Sequence, residues 1–369
     1  MRPISASLRP RRRGRAALAV IAAGLALTAC SSSSSGTSST SATTSASAAS
    51  NKPLNIAYLS FAVENSYDAP MLAAAQAVAS DNNATMKVFD ANNSPQTQYS
   101  QLQDVITSGQ YNGIIVQPIF GTGLITLVKQ AIAKGIKVVN MDQILGPNLS
   151  TDAPQVAGLS ANVTFVPTEI GTKLGNLVVQ ACQAKNLSPC NVGYLYDIKA
   201  SALDVAISGA FDKAIAADPG VKVVAQGQSY FSPTDGLTAV QDMLAAKPDL
   251  NLIVGSDQGI EGGVQAVAAK HLTGKVILVG YGASAAALAG VASGAWYGDV
   301  AQAPASEGRL AVQAMIKALR TGHDSGGIDP VAMVRLISSR ARTPPKDLEM
   351  STSSTCVPRS GTVSPATRR

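Results

Sequence analysis

Eight short runs rich in Val, Ile and Leu alternate with longer segments of helical period, and this alternation restricts the fold more than any other feature of the chain. LNIAYLSF (54–61), TMKVFDAN (85–92), GIIVQP (113–118) and KVVNMD (137–142) read as one set of strands, with helices over about 68–82, 96–109 and 122–134. After VAGLSAN (156–162) a second set begins: NVGYLYD (191–197), VKVVAQG (221–227), NLIVGSD (251–257) and VILVGYG (276–282). Strands that are apolar throughout, separated by helices, belong to parallel sheets covered on both faces. Two such sets in series predict an α/β chain of two doubly wound, Rossmann-like domains. Sheets of this kind bind ligands beyond the carboxyl ends of their strands, so the expected site is the cleft between the two.

The segment before Leu54 reads differently. Arg2, Arg9, Arg11, Arg12, Arg13 and Arg15 precede the apolar stretch AALAVIAAGLALTA (16–29), the order of a secretory signal. Fourteen residues of helix reach only about 21 Å, short of the roughly 30 Å of a bilayer core. LTAC (27–30) resembles the lipobox of bacterial lipoproteins, which implies that Cys30 is lipidated and becomes the mature N-terminus. Two acyl chains on it would give stable membrane anchoring. Ser31 to Ser50 are all Ser, Thr, Ala or Gly. Such a stretch has too little apolar surface to fold and as a flexible coil spans about 25 Å. The expected organisation is a signal peptide over 1–29, a tether over 30–52, and a folded body held on the outer face of the cell membrane.

Charge narrows the partners. The whole chain is formally +6, but removing the six arginines of the leader leaves 23 basic against 23 acidic residues. A neutral body offers no basic face for phosphates, so nucleic acid is not an expected partner. Four cysteines are present: Cys30, Cys182, Cys190 and Cys356. In an oxidising compartment Cys182, at a predicted helix end, and Cys190, at the start of the next strand, are placed to pair, leaving Cys356 odd. His271 and His323 are the two histidines; neither stands at metal-ligand spacing, and no nucleophile elbow or phosphate loop appears. No cofactor, no metal and no enzymatic activity are expected.

IAYLSFAVENSYDAPMLAAAQ, DANNSPQTQYSQLQDVITSGQYNGIIVQP, AIAKGIKVVNMDQ, PDLNLIVGSDQGIEGGVQAV, VILVGYG and GDVAQAP follow one another over about 54–334. Together they resemble the type 1 periplasmic binding proteins of the ribose-binding group, the solute receptors of ABC importers. The resemblance implies three chain crossings that form a hinge, and a discontinuous first lobe. On that basis 53–160 plus 303–329 form the N-terminal lobe, 161–302 plus 330–338 the C-terminal lobe, and the basic stretch 339–369 a disordered tail.

The resemblance also implies ligand contacts. Asn65 and Tyr67 in NSYD match an asparagine and an aromatic that covers a sugar ring, and Asp68 replaces a second aromatic. Asp142 matches a carboxylate that holds hydroxyls, Gln143 stands where an arginine is usual, and Ser256, beside Asp257, occupies an asparagine position. Tyr281 matches an aromatic, followed by Gly282 in place of an aspartate; Gln302 matches a glutamine beside the hinge. Near Val205 the usual arginine is absent. Asp68 and Asp257 also read simply as helix caps, Tyr67 as packing at a helix start, and Gln302 as a backbone tie. Trp296 reads as strand packing near the hinge. A site with fewer charged groups suits a small neutral solute: a polyol, a modified sugar or a furanose derivative. The expected function is capture of a sugar-like molecule by a monomeric receptor and delivery to an ABC permease. A receptor that signals to a membrane kinase or chemoreceptor, and a binder of amino acids or other non-sugar solutes, are the alternatives. A transcription regulator sharing this fold is not expected, because the segment before Leu54 holds no helix-turn-helix.

Overall fold

The computed structural model describes residues 53–331. The signal segment, Cys30, the tether, Cys356, the 339–369 tail and most of the 330–338 return lie outside the described residues. Among the described residues no helix is long and apolar enough to cross a membrane.

Two parallel sheets carry the fold. The first contains β1 (Leu54–Ser60), β2 (Ala84–Asp90), β3 (Gly113–Val116), β4 (Lys137–Asp142), β5 (Ala161–Thr164) and β11 (Gly326–Ile328), in the order β11-β5-β4-β3-β1-β2. The second contains β6 (Cys190–Tyr196), β7 (Val221–Gln228), β8 (Leu252–Ser256), β9 (Ile277–Tyr281) and β10 (Gly298–Val300), in the order β10-β9-β8-β6-β7. Each doubly wound set switches direction at its first strand, opening a crevice at the carboxyl ends.

Strand alternation divides each core into two layers. Ile56 and Tyr58 of β1 face α1 (Asp68–Asp81) and α9 (Pro304–Thr321), with Met71 and Met315, while Ala57 and Leu59 face the layer of α2 (Pro95–Ser108) and α3 (Gly121–Ala133). The second sheet packs Val192 and Tyr194 under α4 (Pro167–Ala184) and α5 (Ala202–Ile215). Its other face lies against α6 (Pro233–Ala246), α7 (Asp257–Ala269) and α8 (Ala285–Ser293). Trp296 is buried in this last layer and does not line the cleft. Gly308 lets α9 approach α1: a Cβ there would stand 2.0 Å from the carbonyl oxygen of Met71.

Local signals explain the helix ends. In α2, the Ser94 hydroxyl accepts from Thr97 N, Pro95 occupies the first turn, and Gly109 ends the helix at φ +66°. Cys182 and Cys190 form a disulfide with Cα atoms 5.8 Å apart, joining the end of α4 to the start of β6.

The structure differs from the sequence reading in one boundary and in its edge strands. The first sheet runs on to Thr164 and does not end at 160, because β5 pairs with both β4 and β11 and buries Ala161 and Val163 in the first core. The edge strands β10 and β11 are too short, at three residues each, to leave a hydrophobic run. The chain passes from the first sheet to the second at Phe165–Val166 and back at 301–303. Asp329 and Val331 line the same cavity as these two crossings. Phe165 packs against the cores of both lobes.

Candidate functional site

The strands end where their sequences turn polar, and those polar ends converge. Phe61 follows β1, Gln117 follows β3, Asp142 closes β4 and Phe165 follows β5; from the second sheet come Phe231, Ser256, Tyr281 and Gln302. They line one cavity between the lobes, enclosing about 440 Å³ of space outside atoms, part of it open to solvent. Tyr67, Asp68, Gln143 and Gln258 contribute from the loops and helix starts, and Leu203 and Ile207 from α5.

Gln117 organises the first lobe's half. Its Nε2 donates to Asp68 Oδ1 at 2.6 Å and to Asp142 Oδ2 at 2.9 Å. Its Oε1 accepts from Phe61 N at 2.9 Å and from the Ser60 hydroxyl at 3.3 Å. Gln117 is itself held by Gln98 of α2, whose Nε2 donates to the Gln117 carbonyl at 2.8 Å. Asn65 donates from Nδ2 to Asp68 Oδ2 at 2.5 Å, and its Oδ1 accepts from the backbone amides of Tyr67 and Asp68. Tyr67 donates its hydroxyl to Glu307 Oε2 at 3.0 Å. Asp142 adopts φ +65°, a left-handed conformation that Asp and Asn enter more readily than most residues.

Asp197 organises the second half. It follows β6 and accepts from Ser229 Oγ at 2.5 Å, Ser256 Oγ at 2.6 Å and Tyr281 OH at 2.6 Å. Two consecutive aromatics, Tyr230 and Phe231, hold positive φ of 50° and 55° in the loop that brings the Phe231 ring to the cavity. Strain of this kind gathers where a ligand is clamped.

These carboxyl groups are buried without cations, so burial makes their charged forms unfavourable. It pushes Asp68 up to about 6 against the hydrogen bonds from Gln117 and Asn65, which favour the charge. Asp142 rises to about 7, from burial and then from the nearby Asp68 charge. Asp197 also rises to about 7, from burial and then from Asp204. Burial holds Glu307 well above the ordinary range, with Asp142 adding to the shift.

Of the residues expected from the sequence, Tyr67, Asp68, Asp142, Gln143, Ser256, Tyr281 and Gln302 come together around the cavity. Two do not line it. Asn65 stands behind Asp68 and orients it. Asp257 is fully buried beneath Gly280 and Gly282, where it accepts from Ser284 N at 2.6 Å and neighbours Asp299. The space beside Gly282 is taken by that carboxyl: a Cβ at φ +145° would lie 2.7 Å from Asp257 Oδ2. This accounts for glycine where the resemblance leads one to expect aspartate. Gln117, Gln258 and the supporting Asp197 were not anticipated. A signal for two of them existed, since each is the first polar residue after a buried strand. Phe61, Phe165, Phe231, Leu203 and Ile207 carry no such mark.

The lobes touch around the cavity. Ser66 donates its hydroxyl to Glu261 Oε1 at 2.7 Å, Gln258 Nε2 approaches Asn65 Oδ1 at 3.5 Å, and the Phe61 and Phe231 rings meet edge to face at 5.5 Å.

The family model of the periplasmic binding protein domain matches residues 56–324. The chain belongs to the periplasmic binding protein family. This binding protein is 27% identical over 226 residues to the D-allose-binding periplasmic protein of Escherichia coli K12, covering 60% of this chain and 70% of that one. It is 26% identical over 229 residues to the ribose import binding protein of Bacillus subtilis 168, covering 62% and 69%. Its fold matches that of an ABC transporter periplasmic solute binding protein from Actinobacillus succinogenes 130z with bound D-allose. That match has a TM-score of 0.66 at 24% identity and covers 75% of this chain and 95% of the other.

Proposed function

We propose that this binding protein captures a sugar-like molecule in the cleft and delivers it, from the outer face of the cell membrane, to an ABC permease. The observation that carries the reading is the pairing of planar polar side chains with aromatic faces at the strand ends of both sheets. Carboxylates and amides accept and donate to adjacent hydroxyls, while aromatic faces cover the C–H surface of a ring. Relatives named for D-allose and ribose support a monosaccharide-sized ligand.

Closure supplies the mechanism. A ligand touching Asp142 and Gln117 in one lobe and Ser256 and Tyr281 in the other stabilises the closed form over the open one by its contacts to both. The permease then distinguishes loaded from empty receptor by shape. The Cys182–Cys190 disulfide suits an oxidising compartment. Cys30 as lipid anchor and the serine-rich tether keep the receptor close to its transporter, raising the effective concentration there. The receptor acts as a monomer, since each chain holds both halves of its cleft.

Calorimetry of the purified protein against monosaccharides and polyols tests the ligand class: binding of one or more is expected, and binding of amino acids alone overturns it. For the anchor, fatty-acid labelling that disappears in Cys30→Ser is expected; equal labelling of the variant refutes it.

A further inference from the structure

The ligand cavity is surrounded by acidic groups and its lining contains no counter-charge. Asp68 and Asp142 line it, and no Lys, Arg or His does. Behind them lies Glu307, bonded to Tyr67; across the cleft lies Asp197, bonded to Ser256 and Tyr281; at the rim Glu261 meets Ser66. Asp204, Asp257 and Asp299 are buried further back in the second lobe. Among the described residues, ion pairs occur at Lys137–Asp324 and Lys173–Glu169, both on the surface. Lys199, on the loop after β6, is turned to Gln226 Oε1 at 2.8 Å and to the Tyr196 ring.

Each deep carboxyl except one has its oxygens occupied or hidden. Asp68 accepts on both oxygens. Asp197 accepts three hydroxyls. Asp142 is 5% exposed and lines the cavity; Gln117 donates to its Oδ2, the Tyr67 hydroxyl stands close to the same carboxyl while donating to Glu307, and among the described residues no hydrogen bond is made to its Oδ1. The surrounding walls are aromatic: Phe61, Tyr67, Phe165, Phe231 and Tyr281 all line the same space. Aromatic faces attract cations, and a buried carboxylate is stabilised most by a charged donor.

Building on the sugar reading, we infer that the preferred ligand carries a protonated amine, as in an amino sugar, imino sugar or aminocyclitol, and that Asp142 Oδ1 receives it. A neutral polyol can donate hydroxyls to Asp142 but brings no opposite charge, so the ionised carboxylate stays without a counter-charge when the lobes close over it. An ammonium group beside Asp142 removes that penalty and lies within reach of the aromatic faces.

Matched ligand pairs decide the matter. Glucosamine against glucose, galactosamine against galactose, and deoxynojirimycin against anhydroglucitol are compared by calorimetry with the full purified protein near neutral pH. The amine member of at least one pair is expected to bind about tenfold or more tightly than its neutral partner. In Asp142→Asn that preference is expected to collapse, the amine member losing at least tenfold more affinity than the neutral one; Asp142→Ser serves as a second variant should the first fold poorly. Equal or tighter binding of the neutral members, or no binding of any amine at millimolar concentration, overturns the inference while leaving the sugar reading in place. Binding of free amino acids with no binding of either member removes the sugar reading itself.

Discussion

Replacing Gln117 with leucine removes a donor to two carboxyl groups and an acceptor for a buried backbone amide while nearly preserving volume. In the native protein, one amide group holds Asp68 at 2.6 Å, Asp142 at 2.9 Å and Phe61 N at 2.9 Å. Near pH 8 both acids are ionised, since they titrate at about 6 and about 7. Hydrogen bonds to charged groups are worth about 1.5–3 kcal/mol each, and an orphaned buried amide adds about 1 kcal/mol or more. The expected loss at pH 8 is therefore about 4–7 kcal/mol. At pH 5 the acids hold their protons, the two bonds fall to the neutral scale of about 1 kcal/mol each, and with the orphaned amide the loss shrinks to about 3 kcal/mol. Urea unfolding of ligand-free wild type and Gln117→Leu, followed by circular dichroism at both pH values, measures the difference. A destabilisation that is the same at both, or below about 1 kcal/mol at either, would refute the assignment of Gln117 as the organiser of this half-site.

Three further outcomes follow from the same geometry. The stability of the ligand-free protein should fall as pH rises from about 5 to 8. Asp142 titrates at about 7 when folded, against an ordinary 3.8, so the folded state keeps its proton where the unfolded chain has released it. Asp142 alone contributes about 2.6 kcal/mol to this decline, and a melting temperature that stays flat or rises across the window contradicts it. Gly282→Asp should destabilise by about 3 kcal/mol, because its Cβ meets Asp257 Oδ2 at 2.7 Å from a positive-φ backbone; thermal unfolding at the wild-type midpoint would show the space to be free. Removing the disulfide as Cys182→Ser with Cys190→Ser, a sequence separation of 8, should lower stability by about 2.5 kcal/mol, read as a shift in urea midpoint.

The sheets were legible because their strands are buried on both faces. A run such as Gly113–Val116, fully buried in the structure, admits no other reading when a helix precedes and follows it. The sequence reading did not mark β5 as a strand and put 161–164 in the second lobe, since only the pairing with β4 and β11 shows which sheet so short a segment joins. In the site, Asp142 stood out as an acid ending an apolar strand, and the same rule applied evenly also marks Gln117 and Asp197. Phe231 escaped because nothing local distinguishes it from ordinary loop surface: its place comes from a positive-φ turn after β7. Gln98 is the instructive case. A polar residue at the start of an amphipathic helix suggests solvent, yet it is 1% exposed and ties the ends of β1 and β3 through Ser60 O and Gln117 O. Its role exists only once both strand ends are adjacent.

The contacts that close the lobes are few, and this bears on how the receptor signals that it is full. One hydroxyl–carboxylate bond at 2.7 Å, one aromatic edge contact at 5.5 Å and a long amide approach at 3.5 Å bridge the cleft mouth. Together they supply about 2–4 kcal/mol, and water satisfies the same polar groups when the lobes part. Moving a two-state protein from one part in a hundred closed to ninety-nine requires about 5.5 kcal/mol of preferential binding. That margin must come from the ligand, through groups in both lobes at once. A closed shape secured in this way is a report of occupancy.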